Sequence, residues 1–263
     1  MCGIIGYIGE REAYNILISG LERLEYRGYD SAGIATINQS TIHAYKKKGR
    51  VANLKSTFLP GKIGIAHTRW ATHGKPEDKN AHPFVNETGE FAIVHNGIIE
   101  NYLELKEELR QDGVTFSSDT DSEVIVHLIS KNYTGNLRQA IIKTIPKLIG
   151  TYAFCVIKKD KSEIIGARNG SPLVVGLGER ENFLASDISA IIEHTRKVIY
   201  LNDFELVKIT NSNVEICDFR GTQKPLEVKE INWHIDFNSE KEKHWYCRPL
   251  CLQQWVLRQP RKR

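Results

Sequence analysis

Cys2 stands directly behind the initiator in Met1-Cys2-Gly3-Ile4-Ile5-Gly6-Tyr7-Ile8-Gly9. Once Met1 is removed, this residue is both a thiol nucleophile and a chain terminus. The thiolate is the reactive form, and with a free pKa of about 8.5 a cysteine ordinarily needs a neighbouring base. A freed α-amine of pKa roughly 7.7–8.0 is such a base, acting directly or through one water. Cysteine is small enough for initiator removal, so no protease is required. The competing reading is an incidental small hydrophobe at a frayed end, and the remaining chain has to decide between them.

Three other stretches carry polar groups of the right kind. Thr68-Arg69-Trp70-Ala71-Thr72-His73-Gly74-Lys75-Pro76 packs a guanidinium, an indole, two hydroxyls and an imidazole into a loop at a strand's end, a recognition surface suited to a small anion such as an α-carboxylate. In His95-Asn96-Gly97 an amide side chain and a glycine N–H can face inward together, and those are the donors an oxyanion needs. Ser117-Ser118-Asp119-Thr120-Asp121-Ser122-Glu123 precedes an apolar helical run; Thr120 with Glu123 fits a capping box, so one aspartate is structural and the other is free to meet a cation.

The elements that must hold these groups follow from periodicity. Ile4, Ile5, Tyr7 and Ile8 between glycines read as a buried strand that would hold the terminus rigidly. Tyr14, Leu17, Ile18, Leu21 and Leu24 predict an amphipathic helix over 11–25 that covers it. Tyr26-Arg27-Gly28-Tyr29-Asp30-Ser31-Ala32-Gly33 is too rich in glycine and turn formers for regular structure and leads to strands at 34–37 and 42–45. Its Arg27 is either a surface charge or a group that reaches back to Cys2, and spacing does not choose. Residues 46–50 read as a basic loop, 63–67 as a strand, and 91–97 as a buried strand whose Asn-Gly turns into a helix near Tyr102–Leu109. Helix 137–148, strands at 152–157, 163–167, 173–176 and 183–185, a short helix at 188–194, and strands at 198–201, 204–209 and 214–217 complete an α+β order of helices covering antiparallel sheets.

Composition narrows the function classes. The 263 residues are 41% hydrophobic and 26% charged, ordinary for a soluble globular chain. Neither a membrane-length apolar run nor a signal-peptide pattern occurs, which predicts a cytoplasmic address and no membrane partner. Five scattered cysteines without a CxxC pair suggest no disulfide framework or zinc knuckle. The formal charge of +4 sits in residues 240–263, with seven Lys or Arg against two Glu, while the rest holds 29 against 30. A neutral body with a basic tail argues against nucleic acid. His67, His73, His82 and His95 match no metal-ligand spacing such as HExxH, and imidazoles at strand ends are more often members of polar networks. Trp233, Trp245 and Trp255 mark a change of character, and 245–263, without period or cap, is expected to be poorly ordered or loosely packed.

Cys2-Gly3-Ile4, Tyr26–Gly33, Thr68–Gly74, Asn80-Ala81-His82-Pro83, His95-Asn96-Gly97 and Ser118-Asp119-Thr120-Asp121 together resemble the class II, N-terminal-nucleophile glutamine amidotransferases, and among them the glutaminase half of the glucosamine-6-phosphate synthase family. Six motifs in one order over residues 2–239 leave no room for coincidence. The resemblance implies a four-layer αββα sandwich of antiparallel sheets and hydrolysis of the L-glutamine side-chain amide through a thioester. It implies Cys2 as the nucleophile, Asn96 and Gly97 as the oxyanion donors, and Arg27 as the residue that orders the nucleophile's surroundings. Arg69, helped by Thr72 and His73, corresponds to the binder of the substrate α-carboxylate, Asp121 to the acceptor of its α-ammonium, and Trp70 to the gate of the ammonia route. No cofactor or metal is implied. Members of that family are more than twice this length and carry sugar-isomerase modules that take fructose 6-phosphate. The expected organisation is therefore an amidotransferase domain at 2–219, a linker-like segment at 220–239 and an aberrant basic tail at 240–263, with the isomerase part absent. Fructose 6-phosphate would be reached only through that missing part, and association into a homo-oligomer is compatible with the pattern. The alternative is an inactive remnant that binds glutamine or a partner.

Overall fold

Ile4 and Ile8 face one way from the first strand while Ile5 and Tyr7 face the other, and all four are buried, as befits a strand with a layer on each side. The computed structural model describes residues 2–232; Trp233, Trp245 and Trp255 and the basic stretch 240–263 lie outside the described residues. In chain order the strands are β1 (Gly3–Ile8), β2 (Ser31–Asn38), β3 (Thr41–Lys48), β4 (Ile63–Arg69), β5 (Phe84–Val85), β6 (Phe91–Ile99), β7 (Gly150–Lys158), β8 (Ile164–Asn169), β9 (Val174–Leu177), β10 (Asn182–Ala185), β11 (Lys197–Tyr200), β12 (Glu205–Ile209), β13 (Val214–Asp218), β14 (Gln223–Lys224) and β15 (Lys229–Glu230). The helices are α1 (Ala13–Leu24), α2 (Tyr102–Gln111), α3 (Glu123–Asn132) and α4 (Leu137–Thr144).

Two antiparallel sheets result, with strand orders β15-β11-β9-β10-β1-β4-β2-β3 and β14-β13-β12-β8-β7-β6-β5. Ile4, Ile8, Ala35 and Ile65 of the first meet Val94, Cys155, Ile157 and Val207 of the second in an apolar core. Period-two alternation puts the neighbouring residues on the outer faces. There α1 covers β1 and β4, while Phe91, Ile93, Phe154 and Val156 pack under Leu105, Leu109, Val124, Leu128 and Ile141 of α2, α3 and α4. The layers run helix, sheet, sheet, helix, the α+β sandwich expected. No helix among the described residues is long and apolar enough to cross a membrane.

Four local expectations give way to tertiary contacts. The 26–33 stretch becomes strand from Ser31, three residues early, because β2 is claimed on both sides by β3 and β4. Gly33 permits this: a Cβ there would lie 2.0 Å from the His82 carbonyl oxygen. Lys46, Lys47 and Lys48 belong to β3 rather than to a loop. Lys46 Nζ donates to the carbonyls of Lys79 and Pro83 beneath the Phe84 ring, and burial takes it down to about 8, while Lys47 pairs with Asp78 at 2.8 Å. Nor does Asn96-Gly97 turn the chain; β6 runs on to Ile99, paired to β7 throughout.

The fourth is the capping box. Ser122 occupies the N-cap of α3 but its hydroxyl caps no helix N–H, and Glu123 turns back instead, accepting from the N–H groups of Ser117 and Ser118 at 2.8 Å each and from both hydroxyls. Burial alone would raise this carboxyl, but His127 Nε2 at 3.6 Å and the serine donors outweigh it and hold it at about 2. A depressed folded-state pKa contributes stability that is complete above the unfolded value and is lost as pH falls. Glu123→Gln is therefore expected to cost about 3 kcal/mol at pH 7, from 1.36 kcal/mol per unit. In urea denaturation the gap to wild type should persist above about pH 4.5 and close towards pH 2.

Candidate active site

Strand parity gathers the polar residues at one end of the inter-sheet core. Ile4 and Ile8 face the second sheet, and Cys2 continues that series beyond the start of β1. On β4, Ile65 faces the gap and His67 and Arg69 follow it; on β6, Val94 faces the gap and Asn96 follows it. Pairing of Ile4 with His67 and of Gly3 with Thr68 aligns the first two series. Where the apolar side chains stop, a thiol, an imidazole, a guanidinium and an amide begin.

Their contacts converge on Cys2. The Trp70 N–H donates to Cys2 Sγ at 3.2 Å. Arg27 Nε donates to the Cys2 carbonyl at 3.1 Å, and Asn96 Nδ2 donates to the same oxygen at 3.2 Å. Arg27 is buried and held by Asp187 Oδ2 at 3.3 Å, which also accepts from the Tyr26 hydroxyl at 3.1 Å. Burial pushes the Cys2 thiol up, opposed by the Trp70 N–H and by the charges of Arg69 and Arg27. The thiol thus stays protonated at neutral pH unless a base takes its proton.

Gly97 sits at φ +126°, a conformation that favours glycine, and a Cβ there would lie 2.0 Å from the Thr151 carbonyl oxygen across the ladder. Strand alternation puts its N–H on the same edge of β6 as the His95 carbonyl and the Ile99 N–H. His67 Nε2 takes the former at 3.0 Å, and Asp121 Oδ2 accepts from the latter at 2.8 Å. That edge therefore looks towards His67 and Asp121, not towards β7.

Against known proteins, residues 38–222 match the sequence profile of the glutamine amidotransferase domain. The chain belongs to the glutamine amidotransferase family. It is 54% identical over 240 residues to a protein of Aquifex aeolicus named glutamine–fructose-6-phosphate aminotransferase (isomerizing), covering 89% of this chain and 40% of that one. It is 48% identical to the protein of the same name from Thermus thermophilus, covering 98% and 43%. The chain thus spans about two fifths of the length of these curated relatives. Among solved structures, the glutamine phosphoribosylpyrophosphate amidotransferase of B. subtilis superposes with a TM-score of 0.73 at 28% identity, over 83% of this chain and 49% of that one.

Within this amidotransferase domain the residues singled out by sequence fall into two sets. Arg27, Asn96 and the backbone of Trp70 each hydrogen-bond to Cys2, with Gly97 next in the strand. Arg69, Thr72, His73 and Asp121 form the surround. Arg69 Nη2 donates to the carbonyls of His73 and Gly74, while its buried Nη1 has no partner among the described residues. The His73 ring turns to Tyr102, with centroids 5.5 Å apart, and Thr72 is exposed. Asp121 is buried yet close enough for its charge to raise the pKa of Arg69, though burial wins and lowers it. The Trp70 indole, 49% exposed, lies edge-on to Tyr29 at the rim.

Three participants escaped the sequence reading. Asp187 anchors Arg27 from a loop far along the chain and carries no local signal. Asp30, within the Tyr26–Gly33 motif, accepts from the Ala71 N–H at 2.9 Å and fixes the loop behind Trp70. His67, weighed only as a metal ligand or network member, contacts Asn96; its place on the β4 face was readable once β4 was aligned with β1.

Proposed function

We propose that this domain hydrolyses the side-chain amide of L-glutamine to glutamate and ammonia, with Cys2 as nucleophile after loss of Met1. The observation that carries the reading is the meeting at Cys2 of donors from three separate segments, Trp70 N–H on its sulfur and Arg27 Nε and Asn96 Nδ2 on its carbonyl. Three donors on one short terminal residue fix both the sulfur and the backbone that bears the amine, which is the positioning that an attacking thiol requires.

The α-amine of Cys2 takes the thiol proton as Sγ attacks the amide carbon of glutamine. Electrons of the C=O bond move to oxygen, and the second hydrogen on Asn96 Nδ2 and the Gly97 N–H receive that charge. Collapse breaks the C–N bond; the α-ammonium returns its proton to nitrogen, ammonia leaves, and a γ-glutamyl thioester remains. A water, deprotonated by the same amine, attacks the thioester; glutamate departs and the thiol is restored. Arg69 Nη1, without a partner among the described residues, suits the substrate α-carboxylate, with Thr72 and His73 beside it, and Asp121 suits the α-ammonium. Trp70, with its half-exposed indole, is assigned the gate of the path by which ammonia leaves. Buried free thiols at Cys155 and Cys217 support a cytoplasmic address.

The relatives' name joins glutamine to fructose 6-phosphate, and we assign the sugar step to the part of those proteins that this chain does not span. Incubated with glutamine and fructose 6-phosphate, the purified 263-residue chain should yield glutamate and ammonia in equal amounts and no glucosamine 6-phosphate. Absence of glutamate overturns the hydrolase reading; an amino sugar overturns the division of labour.

A further inference from the structure

We propose that His67 is a positioning residue for this glutamine hydrolysis, setting which end of the Asn96 amide faces Cys2. The proposal rests on the hydrolase reading above and adds to it a residue that makes no contact with Cys2 in any bond described.

One group beside His67 has an unambiguous role. The backbone carbonyl of His95 can only accept, and His67 Nε2 lies 3.0 Å from it, so that nitrogen carries the ring proton. The same Nε2 lies 3.0 Å from the Asn96 side chain. A protonated Nε2 faces an acceptor, so the Asn96 atom on that side is Oδ1, and the atom on the other side is Nδ2. Nδ2 then donates to the Cys2 carbonyl at 3.2 Å. Were the amide reversed, its NH2 would oppose the imidazole N–H and its oxygen would oppose the Cys2 carbonyl, two repulsive pairs in a buried site. One carbonyl thus fixes one imidazole tautomer, which fixes one amide orientation, which puts two N–H bonds on the side of the nucleophile.

The ring is suited to this task in two further ways. His67 is fully buried between the sheets, and its ring packs against that of His82 with centroids 4.0 Å apart, so it does not swing away. Burial also takes its pKa down to about 3, and the neighbouring charge of Arg69 acts in the same direction. The ring therefore stays neutral through the working range and adds no cation beside the thiol. A neutral donor that cannot titrate holds Asn96 in one orientation at every pH at which the amine is a base.

The test is a double-mutant cycle read in kcat for glutamate release. Leu at 67 removes the donor; Gln keeps an N–H at similar reach. His67→Leu is expected to lower kcat about tenfold to hundredfold, the scale of a small misplacement of a reacting group, with KM for glutamine within about threefold of wild type. His67→Gln should recover most of the loss. In an Asn96→Ala background, His67→Leu should change kcat by less than about twofold, because the amide through which it acts is gone. A merely structural role would instead lower kcat by the same factor in both backgrounds, and that multiplicative result overturns the proposal. Wild-type kcat in His67→Leu overturns it equally. Should the Leu variant not fold, His67→Gln and His67→Asn decide: Asn holds an N–H too short to reach, so equal kcat in the two refutes the proposal. A wild-type chain that releases no glutamate brings down the hydrolase reading and this inference with it.

Discussion

Cys2→Ala is expected to release no glutamate above the uncatalysed background, a fall of about three orders of magnitude or more in kcat. Every bond-making step of the proposed reaction passes through the sulfur, so removing it leaves no slower version of the same path. Glutamine binding should survive, because Arg69 and Asp121 are separate from the thiol, and so should the fold: Cys2 is only half-buried and sits at the rim of the inter-sheet core. The decisive comparison is a glutamate-release assay with wild type and variant, each checked by intact mass for loss of Met1 and by thermal melting. Substantial turnover by a folded Cys2→Ala chain would remove the nucleophile from the mechanism. The amine makes a second, linked demand. In a wild-type chain that retains Met1, the thiol has no α-amine on its own residue, and burial holds its pKa up, so that form should also be inactive. In the processed chain, kcat/KM should fall as pH drops below roughly 7.7–8.0, because the base is then protonated.

The second large effect belongs to Gly97 and arises from the backbone. Alanine would have to adopt φ +126° with its Cβ 2.0 Å from the Thr151 carbonyl oxygen and 2.9 Å from Tyr152 Cα. Both obstacles are main chain in the longest ladder of the second sheet, so no side-chain rotation relieves them. A non-glycine residue in such a conformation costs about 1–3 kcal/mol before any clash, and displacing β7 adds packing losses of about the same size. Gly97→Ala should therefore lower Tm by roughly 10 °C, at about 2–4 °C per kcal/mol for a domain of this size, and lose most activity as its N–H moves. The neighbouring Asn96→Ala differs in kind: it deletes a donor without touching the ladder, so kcat should fall about 10²- to 10³-fold with little change in Tm. Equal melting temperatures for Gly97→Ala and wild type, measured by calorimetry, would show that the strand has another way past Thr151.

The sequence was most legible where local pattern and tertiary demand coincide. Alternation in Ile4–Ile8, helical spacing from Tyr14 to Leu24 and the short apolar runs after residue 150 each became the predicted kind of element. Burial imposes those periods, and a period is visible in one chain segment. The Asn-Gly of β6 shows the limit: locally it signals a turn, but Ala153 and Tyr152 pair with it from across the sheet and keep it extended. Glu123 likewise has the spacing of a capping box, yet its carboxylate finds better donors in the two serines upstream.

By itself the sequence determined that a thiol follows the initiator, that an amide and a glycine follow one buried apolar run, that a guanidinium follows another, and that six motifs stand in the order of one amidotransferase family. Which groups meet was settled only by tertiary structure. Arg27 reaches the Cys2 carbonyl because Asp187, from the loop after β10, holds its other end. His67 meets Asn96 because two sheets stack with their apolar faces together, leaving the next residue of β4 and of β6 side by side where that core ends. Such pairings depend on the register between distant strands, which is fixed by the burial of whole faces and carries no signature in the few residues on either side of the groups it joins.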